Sequence, residues 1–204
     1  MVTVRTQLEQ AIWYRELGAT AGGLRLAEAW EGPGHPEGAY VDDVPRGAEL
    51  VWRTAASADG LLHVGIPFER APDAPSLWFV AADGPRRRPP SCVLTAYAGD
   101  ALPDGTVVEA HALARPNLDA DAGLGHVRWF RDGLVQLVHV APEFRRRDIG
   151  TSLLCAAGAW QQANRWPGYL HVGPGRHAAL ARRVVGAFRL PGRIPGAVAD
   201  GRAG

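Results

Sequence analysis

Three consecutive arginines, Arg145, Arg146 and Arg147, stand just before Asp148, Gly150, Thr151 and Ser152. An apolar run from Leu134 to Val140 precedes them. After them Ile149, Leu153, Ala156 and Trp160 recur at the spacing of one helix face. A helix that starts there presents backbone N–H groups with no intrahelical acceptor, together with a partial positive charge. The arginines add cations, Gly150 lets a ligand approach the backbone, and Thr151 and Ser152 add hydroxyl donors. Such a turn is suited to binding phosphate or pyrophosphate. The chain contains neither GxxxxGKS/T nor GxGxxG, so it is not a Walker loop or a dinucleotide fingerprint.

A second set of residues suits proton transfer. Glu109 and His111 lie two apart in a predicted strand from Thr106 to Leu113, which puts both on one face. His126 opens a predicted strand to Phe130, expected alongside. A carboxylate and two imidazoles on one sheet face can act as a general base, and the same residues would also make a solvated polar face. His139 and His171, inside apolar strands, are expected as hydrogen-bonded core histidines. The seven histidines include no HExxH and no paired spacing, so no metal site is expected. All 22 basic residues are arginine, which excludes lysine Schiff-base chemistry. Cys92 and Cys155 have no CxxC partner, and Cys155 reads as a small buried hydrophobe. Of seven tryptophans, Trp129 is the expected pocket wall, beside the base strand, and the others are mostly core.

These residues need elements to hold them. Leu134 to Val140 is apolar on both alternating faces, as in a strand covered on two sides. Ala141-Pro142 ends it, the helix follows, and Tyr169 to Val172 is a second strand, so the unit is βαβ with parallel strands. Upstream, residues 6 to 17 read as an amphipathic helix on Leu8, Ala11 and Ile12 with a Thr6/Glu9 capping box, ended by Gly18. Residues 31 to 48 read as a Gly/Pro-rich loop, with His35 exposed and inert. Leu50 to Thr54 and Leu61 to Pro67 form a hairpin around Asp59-Gly60. Leu77 to Ala82 and Cys92 to Tyr97 are antiparallel partners, with Arg86 to Arg88 at the solvated tip. A further helix carries Ala179 or Leu180, Val184 and Phe188, and residues 191 to 204 read as a flexible tail.

The run VHVAPEFRRRDIGTSLL resembles the acetyl-CoA-binding motif of the GNAT superfamily of N-acetyltransferases. Arg145 matches the motif's opening residue and Gly150 its second small residue, while Asp148 stands where the first glycine usually is. The resemblance is specific over residues 134 to 154, extends to 188, and weakens before 76. It implies a GNAT-like α/β fold, a mixed central sheet flanked by helices, with an acyl-CoA-binding βαβ unit. It also implies that Val138, Val140 and the turn Arg145, Arg146, Arg147, Asp148, Gly150, Thr151 and Ser152 hold acetyl-CoA or another acyl-CoA. The implied activity is direct acyl transfer to a small-molecule or peptide amine, with Glu109, His111 and His126 as candidate bases. Two features depart from the family. The helix after Gly175 has no tyrosine to protonate the departing thiolate, although Tyr169 or His177 could supply a proton. The chain after it is also too short for two further strands. These departures keep open a non-catalytic module that binds acyl-CoA or acts through interactions.

Residues 76 to 190 would be the acyl-CoA-binding core, and residues 1 to 75 part of the same domain, consistent with 204 residues. A net charge of +1 favours no polyanion and argues against a nucleic-acid-modifying relative. No apolar run approaches membrane-spanning length and no signal segment is evident, so the expected location is cytoplasmic, with no membrane partner.

Overall fold

The computed structural model describes residues 11–84, 89–113 and 123–172. Ten strands form one mixed sheet: β1 Ala11–Ala19, β2 Arg25–Gly32, β3 Glu49–Ala56, β4 Leu62–Gly65, β5 Leu77–Asp83, β6 Ser91–Ala98, β7 Thr106–Glu109, β8 Gly125–Phe130, β9 Leu134–Val140 and β10 His171–Val172. Their order is β1-β2-β3-β4-β7-β5-β6-β8-β9-β10. The pairs β5/β7 and β9/β10 are parallel and the rest antiparallel. Helix α1, Ile149–Ala163, is the one α-helix among the described residues. The molecule is therefore α/β with a mixed sheet, and its first strands pair into the same sheet as the rest.

Every residue of α1 except Gly150 is buried. The helix packs against strands from β2 to β9, which lie seven strand spacings apart in the sheet order. Seven spacings of a flat sheet would span roughly 33 Å, against a helix only about 10–12 Å across. The sheet therefore curls around α1. Small residues allow that approach: at Gly158, a Cβ would sit 3.4 Å from Trp52 Nε1. Trp129, Leu94, Phe79 and Leu62 fill the concave side. On the convex side a smaller cluster forms around Trp78, stacked on Tyr97 with ring centroids 4.8 Å apart.

The hairpin at Asp59-Gly60 forms as its dipeptide predicts, with Gly60 at φ +76° and β3 paired to β4. β5 pairs with β6 as expected, and β9–α1–β10 is the predicted parallel unit, although β10 is only two residues long. The helix predicted over residues 6 to 17 is corrected by a strand from Ala11 onwards. Ile12, Trp13 and Tyr14 are β-formers, and pairing Trp13 opposite Trp30 buries the ring completely, which outweighs a three-residue helical stripe. β9 is also not covered on both faces: Gln136, Leu137 and His139 are exposed, so His139 is not a core histidine. A register shift opposite Arg128/Trp129 breaks the alternation there. Thr6, Leu8, Glu9, the arginines 86 to 88, the segment 114–122 and everything after Val172, including His177 and the predicted second helix, lie outside the described residues.

Candidate functional site at the N-terminus of the buried helix

The turn from β9 to α1 is built by backbone conformations that its residues adopt unequally. After Val140 the chain makes a 3-10 turn, Pro142–Phe144. Arg145 is extended again, and Arg146 and Asp148 then take left-handed values, φ +65° and +48°. Glycine occupies such positions freely, and Asp tolerates them better than most residues because its short polar side chain bonds locally. Asp148 holds the N-cap position but makes no capping bond. An N-cap side chain reaches the first amides from extended backbone, and here the backbone is left-handed. The Asp148 carboxylate instead accepts the Asp73 N–H at 3.3 Å. The N–H groups of Ile149, Gly150 and Thr151 belong to the first helical turn, where no intrahelical acceptor exists.

Arg145, Arg146 and Arg147 are exposed. Arg145 Nε donates to the Val140 carbonyl at 3.2 Å, and Arg147 stands 6.0 Å from the Phe144 ring. The expectation for the hydroxyls needs revision. Thr151 and Ser152 are buried, and Ser152 Oγ donates to the Asp148 carbonyl at 3.2 Å, as mid-chain Ser often does within a helix. Ser152 also lines a cavity of about 310 Å³ beside the first turn of α1, formed with Ile66, Phe68, Leu77 and Phe79. Phe68 is exposed there.

β9 runs into this turn with one edge on β8, where Val138 faces Val127 and Val140 faces Gly125. On the other edge β10 pairs only with Leu134 and Val135. Among the described residues, the stretch from Gln136 to Val140 has no strand on that side. Val138 and Val140 are half-buried and pack against the core around α1.

The three candidate bases do not converge. Glu109 ends β7 and His111 lies in a 3-10 turn, Ala110–Ala112, that follows it. His111 Nδ1 is 3.0 Å from Glu109 Oε2, with both side chains well exposed. β7 pairs with β4 and β5, so β5 and β6 separate it from β8, and His126 is not its neighbour. The expected adjacency assumed that strands close in sequence pair, whereas β7 inserts beside β5. His126 instead faces His139 across β8/β9, their rings stacked at 5.2 Å. Burial first, then the charges of His139 and Arg128, hold the His126 imidazole below its usual range.

Other expectations resolve similarly. Trp129 is no pocket wall: it is fully buried, and its Nε1 donates to Gln161 Oε1 at 2.9 Å. His171 is half-buried, with Nδ1 2.9 Å from the Tyr169 carbonyl. Burial pushes both cysteine thiols, Cys92 and Cys155, up to about 12, which removes them as nucleophiles at neutral pH. Among the described residues no group of three or more His, Cys, Asp or Glu is placed to hold a metal ion, and no helix is long and apolar enough to cross a membrane. Sequence reading missed a polar cavity at the far end of α1, lined by Arg25, Glu37, Tyr40, Gln162, Arg165 and Tyr169. Those residues come from three distant segments with no local motif, so only the tertiary arrangement groups them.

A comparison of the chain with protein-family models, with curated proteins and with solved structures finds no match.

Proposed function

We propose that this protein is an acyltransferase of the GNAT type, moving an acetyl or other acyl group from acyl-CoA to an amine. One observation carries the reading. The residue standing where the motif's first glycine is expected, Asp148, has the left-handed backbone that a glycine there would supply. Its carboxylate is engaged by the Asp73 amide, and the helix amides that follow are the donors a pyrophosphate needs. Arg145, Arg146 and Arg147 would add charge around it. Among the described residues no strand pairs with Gln136 to Val140 on the outer edge of β9, and backbone groups there would serve an extended pantetheine arm, as an added strand would use them.

Acyl-CoA supplies an activated thioester: the amine nitrogen bonds to the carbonyl carbon, the C–S bond breaks, and the amine's proton and the thiolate leave as free CoA thiol. The chain's part is to bind, to orient and to accept a proton on the way. Glu109 with His111, and His126 with His139, are two separate imidazole-bearing pairs able to do so. The separation of Glu109 from His126 favours a second reading, a module that binds acyl-CoA without turning it over. Thiol release from acetyl-CoA across a panel of amines separates the two. Amine-dependent release supports the transferase, and acetyl-CoA binding with no release for any amine supports the binding module.

A further inference from the structure

We propose that the cavity at the C-terminal end of α1 binds a small zwitterion, an α-amino acid, with Arg165 and Arg25 on its carboxylate and Glu37 on its ammonium group. This site is independent of the acyl-CoA reading: a 15-residue helix spans about 22 Å, which separates the cavity from the β9–α1 turn. Its volume, about 230 Å³, suits a metabolite, being below the roughly 300–1,000 Å³ of drug-sized pockets.

The lining carries two guanidinium groups and one carboxylate. A dianion would meet Glu37 and a dication would meet both arginines, so opposite charges on one small molecule match best. Arg25 is held in place by its own contacts. Arg25 Nη1 donates to the Tyr40 hydroxyl at 2.6 Å and its guanidinium lies 4.9 Å from that ring's centroid. Arg25 Nε is buried without a hydrogen bond, 3.6 Å from Glu16. The Tyr40 hydroxyl in turn donates to Gln162 Oε1 at 2.6 Å, and the buried Gln162 holds the Gly168 carbonyl through Nε2. The buried Gln162 thus anchors the exposed Tyr40, and through it Arg25, at the rim. Glu37 accepts the Ile12 N–H at 3.1 Å, which anchors its carboxylate beside β1.

Arg165 adds a second argument. It follows the C-cap residue Asn164 at φ +54°, its N–H donating to the Gln162 carbonyl and that of Trp166 to the Gln161 carbonyl. This is a Schellman ending, whose left-handed position glycine fills at lowest cost. Here it holds an exposed arginine that lines the cavity and has no ion-pair partner among the described residues. Non-glycine residues held in this conformation cluster at ligand sites.

The test is isothermal titration of the full chain with the 20 common amino acids, with acetate as the carboxylate-only control and ethylamine as the amine-only control. Arg165→Gly and Glu37→Gln are then titrated with whichever amino acid binds. Arg165→Gly should raise the melting temperature by relieving the cap, while weakening amino-acid binding by roughly tenfold or more. Glu37→Gln should weaken amino acids and leave acetate unchanged. The proposal is overturned if no amino acid binds at millimolar concentration, if acetate or ethylamine binds as well as the amino acid, or if Arg165→Gly binds like the wild type.

Discussion

The Glu28 carboxylate is 1% exposed on β2, yet it is fully engaged. Trp30 Nε1 donates to Oε2 at 3.0 Å, Arg15 donates to Oε2 through Nε at 2.9 Å and Nη2 at 2.7 Å, and Arg53 donates to Oε1 through Nε and Nη2. Burial alone would raise this carboxyl's pKa. The Trp30 and Arg53 hydrogen bonds and the Arg53 and Arg15 charges outweigh burial and hold it below its usual 4.5. Glu28→Gln keeps the shape but removes the charge and turns two donors toward donors. Removing one partner of a wholly buried ion pair costs about 3–5 kcal/mol. The Arg15 and Arg53 side chains, however, are 33% and 55% exposed and regain water. The expected loss is therefore about 2 kcal/mol, a fall of roughly 4–8 °C in melting temperature for a chain this size. The pH dependence has a fixed sign. A carboxyl lowered in the folded state stabilises above its unfolded pKa, and that stability is lost as pH falls through the folded pKa. Thermal melts of wild type and Glu28→Gln should differ by a constant amount from pH 8 to 5.5 and converge below pH 4.5. A gap absent at pH 7, or unchanged at pH 3.5, would refute the reasoning.

Three further outcomes are expected. Gln161→Leu orphans the fully buried Trp129 Nε1 donor and releases the carbonyls of half-buried Arg131 and exposed Pro167, and should cost about 2 kcal/mol in urea unfolding. Gly38→Ala puts a Cβ 2.6 Å from the Tyr169 ring at a residue with φ +77°, so it should cost about 2 kcal/mol and weaken amino-acid binding through the displaced ring. Asp148→Gly keeps the left-handed turn and removes a carboxylate from the anion site. Acetyl-CoA affinity, read by titration, should rise roughly three- to tenfold.

The parts of the fold legible in the sequence were those whose signals are local. The βαβ unit from Leu134 to Val172 and the Asp59-Gly60 hairpin are written in consecutive residues: an apolar run, a proline stop, a helical stripe, a turn dipeptide. β2 was not legible, because Arg-Leu-Ala-Glu-Ala-Trp-Glu-Gly is poor in strand formers. Its strand state rests on Ala27 and Ala29 packing against α1 on one face and the Glu28 network on the other. The neighbours of β7 were out of reach for a different reason. Its place between β4 and β5 is a long-range pairing, and that pairing separates Glu109 and His111 from His126. The left-handed backbone at Asp148 and Arg165 was equally silent, since neither residue type demands it.

The central claim is that the β9–α1 turn binds acyl-CoA, and calorimetric titration with acetyl-CoA tests it most directly, with Gly150→Asp as the matched variant. A carboxylate in the first turn favours the helix dipole, yet it repels a pyrophosphate. Saturable binding is expected, with a stabilisation of about 2.7 kcal/mol at a hundredfold the dissociation constant, and Gly150→Asp should abolish it. No binding at millimolar acetyl-CoA, or equal binding by a folded Gly150→Asp, would contradict the claim.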